Sequence, residues 1–428
     1  MKTSAAIERT GFSQVGVVGM GYVGLPLAVA FAEAGCQVIG LDADPTKVAS
    51  LNRSTTYIED VPSSLLESIG DGIRATVDFD ELAECDAIVI CVPTPLTGSS
   101  EPDLTYLESA GENLAEILAP GQLVVLESTT YPGTTRDLLA GKLEEGGLKA
   151  GEDFHLAFSP ERIDPGRTDY TVKTTPKLVG GISPECTDRA ATLYETVCDQ
   201  VVRLSGPEAA ELSKLLENIF RSVNIALVNE LAQLCDRLDV DVWEVVEAAS
   251  TKPFGFMPFE PGPGMGGHCL PIDPFYLAFT ARQNDFYPEF IELAGKINQS
   301  QPRFCVRRIE RILNNQMRSV KDSKILILGV SYKAGVGDTR ESPAIKIIHL
   351  LAELGADLRY HDPYVPELKD AGLEHSEDLD AALEEVDLAV IVTSHPEVDL
   401  DTVVDKSKSL LDLRGVTRKH EGAHITRL

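Results

Sequence analysis

The chain has 428 residues, which suits two or three domains rather than one. Its 38 Lys and Arg stand against 67 Asp and Glu, and a net charge of −29 excludes nucleic acid or an anionic membrane as partner of the whole surface, since both are polyanions. No run approaches eighteen apolar residues, the stretch Met1 to Phe12 is too polar for a signal peptide, and eight Cys without a CxxC pair suit reduced thiols in a cytoplasm and no metal cluster.

Charge is uneven along the chain: net −17 over residues 1–203, −4 over 204–320 and −8 over 321–428. A nearly neutral middle between acidic flanks predicts surface that is covered, for instance by a second copy of the chain.

The first segment opens with an apolar strand at Val15–Val18, a glycine turn, and a helical pattern from Leu25 to Ala34 that Gly35 ends. Further apolar strands are predicted at Val38–Leu41, Ala87–Cys91, Leu123–Glu127 and His155–Phe158, with helical stretches between. Continuous apolar strands alternating with helices predict a parallel sheet covered on both faces. At Ser205-Gly-Pro-Glu208 a helix start is predicted, and no Pro or Gly interrupts from there to about Arg237. Leu212, Leu215, Leu216, Ile219, Val223 and Ala226 repeat at helical spacing along it. The segment Pro253–Pro274 reads as a loop dense in Pro and Gly, of a length that is usually functional, and Asp285 to about Asn315 returns to helix. A second α/β unit starts at Lys324–Leu328, continues through a helix near Ser342–Leu354, and adds strands at Asp357–Tyr360 and Leu388–Val392. It is a weak echo of the first, without the full glycine fingerprint.

Gly19-Met20-Gly21-Tyr22-Val23-Gly24 lies between a strand and a helix, where glycines permit a tight turn and let a pyrophosphate approach a helix N-terminus. Asp42 closes the second strand, where an acid accepts from both ribose hydroxyls and favours NAD over NADP. The segments Cys91-Val-Pro-Thr94 and Glu127-Ser-Thr129-Thr130 fall at strand ends that form the ligand crevice of such sheets. Cys269 sits among glycines that would let a substrate approach a nucleophile, whereas the other seven Cys lie in helix or strand patterns. His268 beside it would point away from it if the segment is extended, and His268, Cys269 and Asp273 lack a usual zinc spacing. Lys214 and Asn218, at i and i+4, share one helix face.

Together, GMGYVG, Asp42, the Ser-Thr-Thr segment, SPERIDPG, the Lys214 and Asn218 helix, GPGMGGHCLPID, YKAGVGDTRESPA and DLRG resemble the nucleotide-sugar 6-dehydrogenases, the UDP-glucose/GDP-mannose dehydrogenase family. The resemblance implies an α/β fold in three regions: an N-terminal NAD-binding Rossmann domain at 1–204, a central long-helix dimerisation region at 205–317 with the Cys loop, and a C-terminal Rossmann-like, nucleotide-sugar-binding domain at 318–428. It implies a cytoplasmic homodimer, or higher homo-oligomer, that uses two NAD to oxidise a C6 alcohol to a carboxylate.

In that reaction a thiolate captures the C6 aldehyde, and a thioester then forms and is hydrolysed. By the same resemblance Cys269 is the nucleophile, Asp273 a carboxylate handling water and protons, and Lys214 with Asn218 the oxyanion's partners. Glu161 and Thr129 would position and activate water. Thr94, Thr129 and Arg340 would lie near the cofactor with the glycine turn and Asp42, while Arg162, Gly266, Lys333 and Arg414 would meet the UDP-sugar beside Glu161, Lys214 and Asn218. Pro165, where UDP-glucose enzymes have a second Glu, together with His268 and Ile272 flanking the nucleophile, points to the branch that oxidises UDP-N-acetylhexosamines. Within it, the segment Lys252 to Phe259 resembles the UDP-N-acetylglucosamine enzymes, which supply a uronic acid for a polysaccharide or glycan. UDP-N-acetylmannosamine and UDP-glucose are the alternatives.

Overall fold

The computed structural model describes residues 11–58, 60–97, 101–163, 169–267, 272–368 and 372–428. The chain divides into two compact units, Met1–Glu217 with Phe275–Phe286, and Asn218–Pro274 with Tyr287–Leu428.

In the first unit, β1 (Gln14–Val18), β2 (Gln37–Leu41), β3 (Ile73–Thr76), β4 (Ala87–Ile90), β5 (Leu123–Leu126), β6 (His155–Phe158), β7 (Lys177–Gly181) and β8 (Val201–Arg203) form one sheet. Its order is β3-β2-β1-β4-β5-β6-β7-β8, so the winding reverses between β1 and β4, and the loops after those two strands border the ligand crevice of a Rossmann fold. Alternate strand residues feed two separate cores. Val15, Val17, Ala87 and Val89 pack with Leu25, Leu27 and Phe31 of the Gly24–Glu33 helix, while Val18, Ile88 and Ile90 pack with Leu107 and Leu114 of the Thr105–Ile117 helix. Both faces being covered is the reason the strands read as unbroken apolar runs.

The sheet departs once from the parallel arrangement, because β6 and β7 pair antiparallel. Between them no helix occurs among the described residues, and without a crossover the returning strand lies antiparallel.

In the second unit, β9 (Lys324–Leu328), β10 (Asp357–His361), β11 (Glu374–His375), β12 (Leu388–Ile391), β13 (Leu410–Asp412) and β14 (Ile425–Arg427) form a parallel sheet of order β11-β10-β9-β12-β13-β14. The winding repeats that of the first six strands, and the echo extends to the turns. Gly19 N donates to Leu41 O and Met20 N to Asp42 Oδ2; likewise Gly329 N donates to His361 O, and Val330 and Ser331 N to Asp362 Oδ2. In each unit one carboxylate after the second strand fastens the turn after the first.

Three helices complete the middle of the chain: Pro207–Leu238, Asp273–Gln283 and Glu289–Asn315. The first has 32 residues, about 48 Å at 1.5 Å per residue. Its apolar repeat divides between two faces, with Leu215, Ile219 and Ala226 buried and Leu212, Leu216, Phe220, Leu227 and Leu234 exposed. The exposed set advances by four or seven residues and so forms one stripe. The Asp273–Gln283 helix falls between the expected loop and the expected helix, and was not anticipated. No helix of the described residues is long and apolar enough to cross a membrane.

Candidate active site

In the first unit the glycine turn leaves β1 for the Gly24–Glu33 helix, which begins without a side-chain cap. A Cβ on Gly19, whose φ is +95°, would lie 2.7 Å from Cys91 O, and one on Gly24 would lie 1.9 Å from Gly19 O. At Gly21 a Cβ would meet nothing within 4 Å. The outer glycines are therefore sterically required by the protein itself, while the middle one opens on free space, the shape a pyrophosphate needs at uncapped helix amides. Met20 is buried, Tyr22 is exposed, and Val23 stands at the helix cap. Asp42 accepts from Met20 N and Lys47 Nζ on Oδ2 and from Asp44 N on Oδ1. These residues fit NAD.

The loops after β4 and β5 are tied together: Thr94 Oγ1 donates to Thr129 O at 2.7 Å, and Tyr276 donates to Thr94 O. Thr130, next in line, is buried, and its hydroxyl has no hydrogen-bond partner among the described residues. Glu211, fully buried on the long helix, accepts from Gly133 N, Thr135 N and Thr135 Oγ1, which anchors the segment following Thr130. Burial raises its carboxyl pKa against those hydrogen bonds.

Glu161 follows β6. Its Oε1 accepts from the Arg162 and Ile163 amides, at 2.7 and 2.6 Å, and its Oε2 lies 3.4 Å from Lys177 Nζ. Burial alone would raise the Glu161 pKa, but Lys177, the two amides and Lys214 outweigh it and hold it below the ordinary carboxylate value. The Arg162 guanidinium pairs with Glu217 at 2.7 Å and donates to Pro176 O at 2.6 Å. Lys214 is nine-tenths buried.

Within the second unit, Asn218 Nδ2 donates to Oδ2 of Asp273, which is 1% exposed. Gly262, in the segment leading to the cysteine, is held through its amide by Asn229 Oδ1 at 3.0 Å and through its carbonyl by Gln301 Nε2 at 3.0 Å. A Cβ on Gly266 would come within 2.9–3.0 Å of Pro343, Glu341 O and Tyr332, so only glycine passes there. Arg414 donates from Nε to Val392 O at 2.7 Å, and burial depresses its pKa. The backbone carbonyl of Lys333 accepts from Ser331 Oγ, and the Arg340 guanidinium pairs with Asp338 at 2.7 Å. Cys269, His268 and Pro165 lie outside the described residues.

Of the seven described cysteines, all but half-buried Cys91 are buried. Burial pushes the thiols of Cys36, Cys85 and Cys198 up to about 11 and that of Cys305 to about 12, which leaves them protonated and unreactive at neutral pH.

Sequence reasoning did not anticipate Lys177, Tyr194 or the Asn229 and Gln301 clamp. Lys177 carried a faint signal, as a charge opening the otherwise uncharged run Lys177–Gly181 whose five residues are all buried.

Three family descriptions match the chain in order: the NAD binding domain of the UDP-glucose/GDP-mannose dehydrogenase family at residues 13–198, its central domain at 208–300 and its UDP binding domain at 326–419. The UDP-N-acetyl-D-mannosamine dehydrogenase of Pyrococcus horikoshii is 37% identical over 388 residues, 90% of each chain. The UDP-N-acetyl-D-glucosamine 6-dehydrogenase of Pseudomonas aeruginosa is 34% identical over 354 residues, 82% of this chain and 83% of that one. A solved structure of UDP-D-ManNAc dehydrogenase from Pyrococcus horikoshii superposes with a TM-score of 0.89 at 33% identity, covering 97% of this chain and 98% of the other. With the glycine turn, the two like-wound sheets and these matches over nearly its whole length, the chain belongs to the UDP-glucose/GDP-mannose dehydrogenase family and is an NAD-dependent nucleotide-sugar dehydrogenase.

Proposed function

We propose that this enzyme oxidises the C6 alcohol of UDP-N-acetylglucosamine to the carboxylate, in two steps with two NAD, for a glycan or polysaccharide that contains the uronic acid. The observation that carries the reading is the pairing of Asn218 with the buried Asp273, four residues after Cys269, on a helix that also carries buried Lys214 one turn earlier. A cysteine four residues ahead of such a carboxylate in sequence suits capture of an aldehyde. A two-electron dehydrogenase would have no use for it.

Cys269 adds to the C6 aldehyde as a thiolate and holds the carbon through the second oxidation as a thioester. Lys214 and Asn218 stabilise the oxyanion that forms on that carbon, Lys214 more strongly for being removed from water. Asp273 handles the proton. Glu161, kept ionised by Lys177 and Lys214, takes a proton from the water that attacks the thioester, and Thr129 positions that water. The glycine turn and Asp42 would hold NAD, with Thr94, Thr129 and Arg340 beside it, and NAD bound there would supply the hydride acceptor for each oxidation. Arg162, Gly266, Lys333 and Arg414 hold the nucleotide-sugar.

UDP-N-acetylmannosamine is the second reading, favoured by the 37% identical relative of that name. The segment Lys252 to Phe259 supports the glucosamine reading. A panel of UDP-N-acetylglucosamine, UDP-N-acetylmannosamine and UDP-glucose, read as NADH formed per sugar consumed, separates them. The first is expected to give the highest kcat/KM, with two NADH per sugar. A preference for either other sugar overturns the assignment, and one NADH per sugar overturns the four-electron course.

The exposed stripe on the long helix supports a homodimer, since Leu216 at 65% and Leu227 at 61% exposure would otherwise face water. Light scattering is expected to give twice the chain mass, and Leu216→Glu with Leu227→Glu a monomer. A monomeric wild-type protein at working concentration refutes the dimer.

A further inference from the structure

Behind Glu161 the first unit buries a charge cluster that the proposed chemistry does not itself use. Glu127, at the end of β5, and Lys177, at the start of β7, have side chains only 0% and 6% exposed, and Lys177 Nζ lies 2.9 Å from Glu127 Oε2. The same ammonium lies 3.4 Å from Glu161 Oε2, and 5.1 Å from the centre of the Tyr194 ring. Tyr194, the last residue of the Pro184–Tyr194 helix, donates its hydroxyl to Glu127 Oε1. One ammonium thus serves two carboxylates. Glu127 is fixed from both sides and faces no solvent, while Glu161 keeps 14% of its side chain exposed and its other oxygen accepts from two backbone amides.

An isolated buried ammonium is costly, so the Lys177–Glu127 pair has to be formed together. Once formed, it presents a fixed positive charge to the one carboxylate of the cluster that is still reachable. The environments push the two acids apart: Glu127 is raised, chiefly by burial, and Glu161 is lowered. The charged and titratable groups around Glu161 are Lys177 and Lys214 on the favourable side, and Glu127, Cys91 and Cys198 on the other.

We propose that Lys177 is a positioning residue for the hydrolytic half of the reaction, holding Glu161 oriented and ionised so that it can act as base, with Glu127 and Tyr194 as its fixed support. This rests on the reading of Glu161 given above. In the step concerned, the water oxygen bonds to the thioester carbonyl carbon while its proton passes to Glu161. The C–S bond then breaks and Cys269 leaves as thiolate.

The test is the pH dependence of kcat for acid formation, combined with intact mass of acid-quenched enzyme to detect sugar held as thioester. A base with a depressed pKa acts down to pH values below the ordinary carboxylate range and is lost as the pH falls through its folded-state value. Lys177→Met is expected to move the acid limb up by about 1–3 pH units, the effect of losing an opposite charge at this range, with thioester accumulating below the new limb. The KM values for UDP-sugar and NAD should stay within about twofold, since Lys177, its side chain 6% exposed, is not among the residues proposed to hold either ligand.

Glu127→Gln keeps the shape but removes the competing carboxylate, so its limb moves down. A purely structural role gives no such opposition of sign. An unmoved limb in a folded Lys177→Met protein overturns the proposal. If that variant does not fold, a limb in Glu127→Gln that stays or rises overturns it instead. Glu161→Gln separates the two levels. Thioester accumulation there, with the Lys177→Met limb unmoved, sinks the Lys177 role alone, whereas normal turnover and an unchanged limb in Glu161→Gln sink the reading of Glu161 and this proposal with it.

Discussion

Replacing Cys269 by Ser is expected to lower acid formation by more than about 10³-fold, the scale on which loss of a covalent nucleophile acts. Serine keeps the size of the side chain. Its hydroxyl is not ionised at neutral pH, and on hydrolysis of an ester formed on it the serine alkoxide would be a poorer leaving group than a thiolate. The first oxidation requires no bond to residue 269, so NADH formed per sugar should fall from two toward one as aldehyde is released. Coupled measurement of NADH and of UDP-uronate checks both at once. Acid formation within tenfold of wild type would remove the covalent mechanism. None of the other seven cysteines offers a substitute, because the six buried ones lie away from solvent and Cys91 has its thiol pKa raised well above the ordinary value by burial.

Gly24→Ala is expected to be the most damaging single change in the cofactor turn. The new methyl would lie 1.9 Å from Gly19 O and 3.0 Å from Gly19 C, both backbone atoms that cannot swing aside. The turn must open, at a cost of about 1–3 kcal/mol in stability, typical of overpacking. Gly21→Ala is the informative contrast, because its methyl meets no protein atom within 4 Å. It should melt like wild type while its NAD affinity falls about 10–100-fold, as expected if that space belongs to the pyrophosphate. Thermal melts with and without NAD, and a direct NAD titration, distinguish the two. A Gly21→Ala protein that binds NAD as tightly as wild type would show that the cofactor does not approach this turn.

The first domain was legible because its signals are local. An apolar strand, a glycine turn, a mostly apolar helix and a second strand follow one another within about thirty residues, and the observed bounds of β1, β2 and the Gly24–Glu33 helix lie close to those the pattern indicates. The long helix was equally plain, since nothing between Pro207 and Leu238 breaks it. Its two apolar faces were not, because spacing shows that residues share a stripe and not whether the stripe is covered. Short strands such as β13 and β14 have three residues each, too few to carry a period, and they exist only because a neighbouring strand pairs with them. Within the site, Asn218 and Asp273 were named from motifs 55 residues apart, and their hydrogen bond brings the two together. Lys177 and Tyr194 belong to no motif. Their meaning lies in contacts with Glu127 and Glu161 across 16–67 residues of chain, which no local window contains.

The carboxylate of Asp42 has a consequence for any attempt to redesign cofactor preference. The usual route toward NADP removes the acid after the second strand to make room for a 2′-phosphate. Here that acid already accepts from the amides of Met20 and Asp44 and from Lys47. Taking it away would orphan two backbone donors, one of them buried inside the cofactor turn itself, at about 1–3 kcal/mol for each that stays dry. If Asp42 meets the adenosine ribose as proposed, cofactor choice and the integrity of the turn rest on the same side chain. A change of preference would have to begin at neighbours such as Lys47, leaving Asp42 in place.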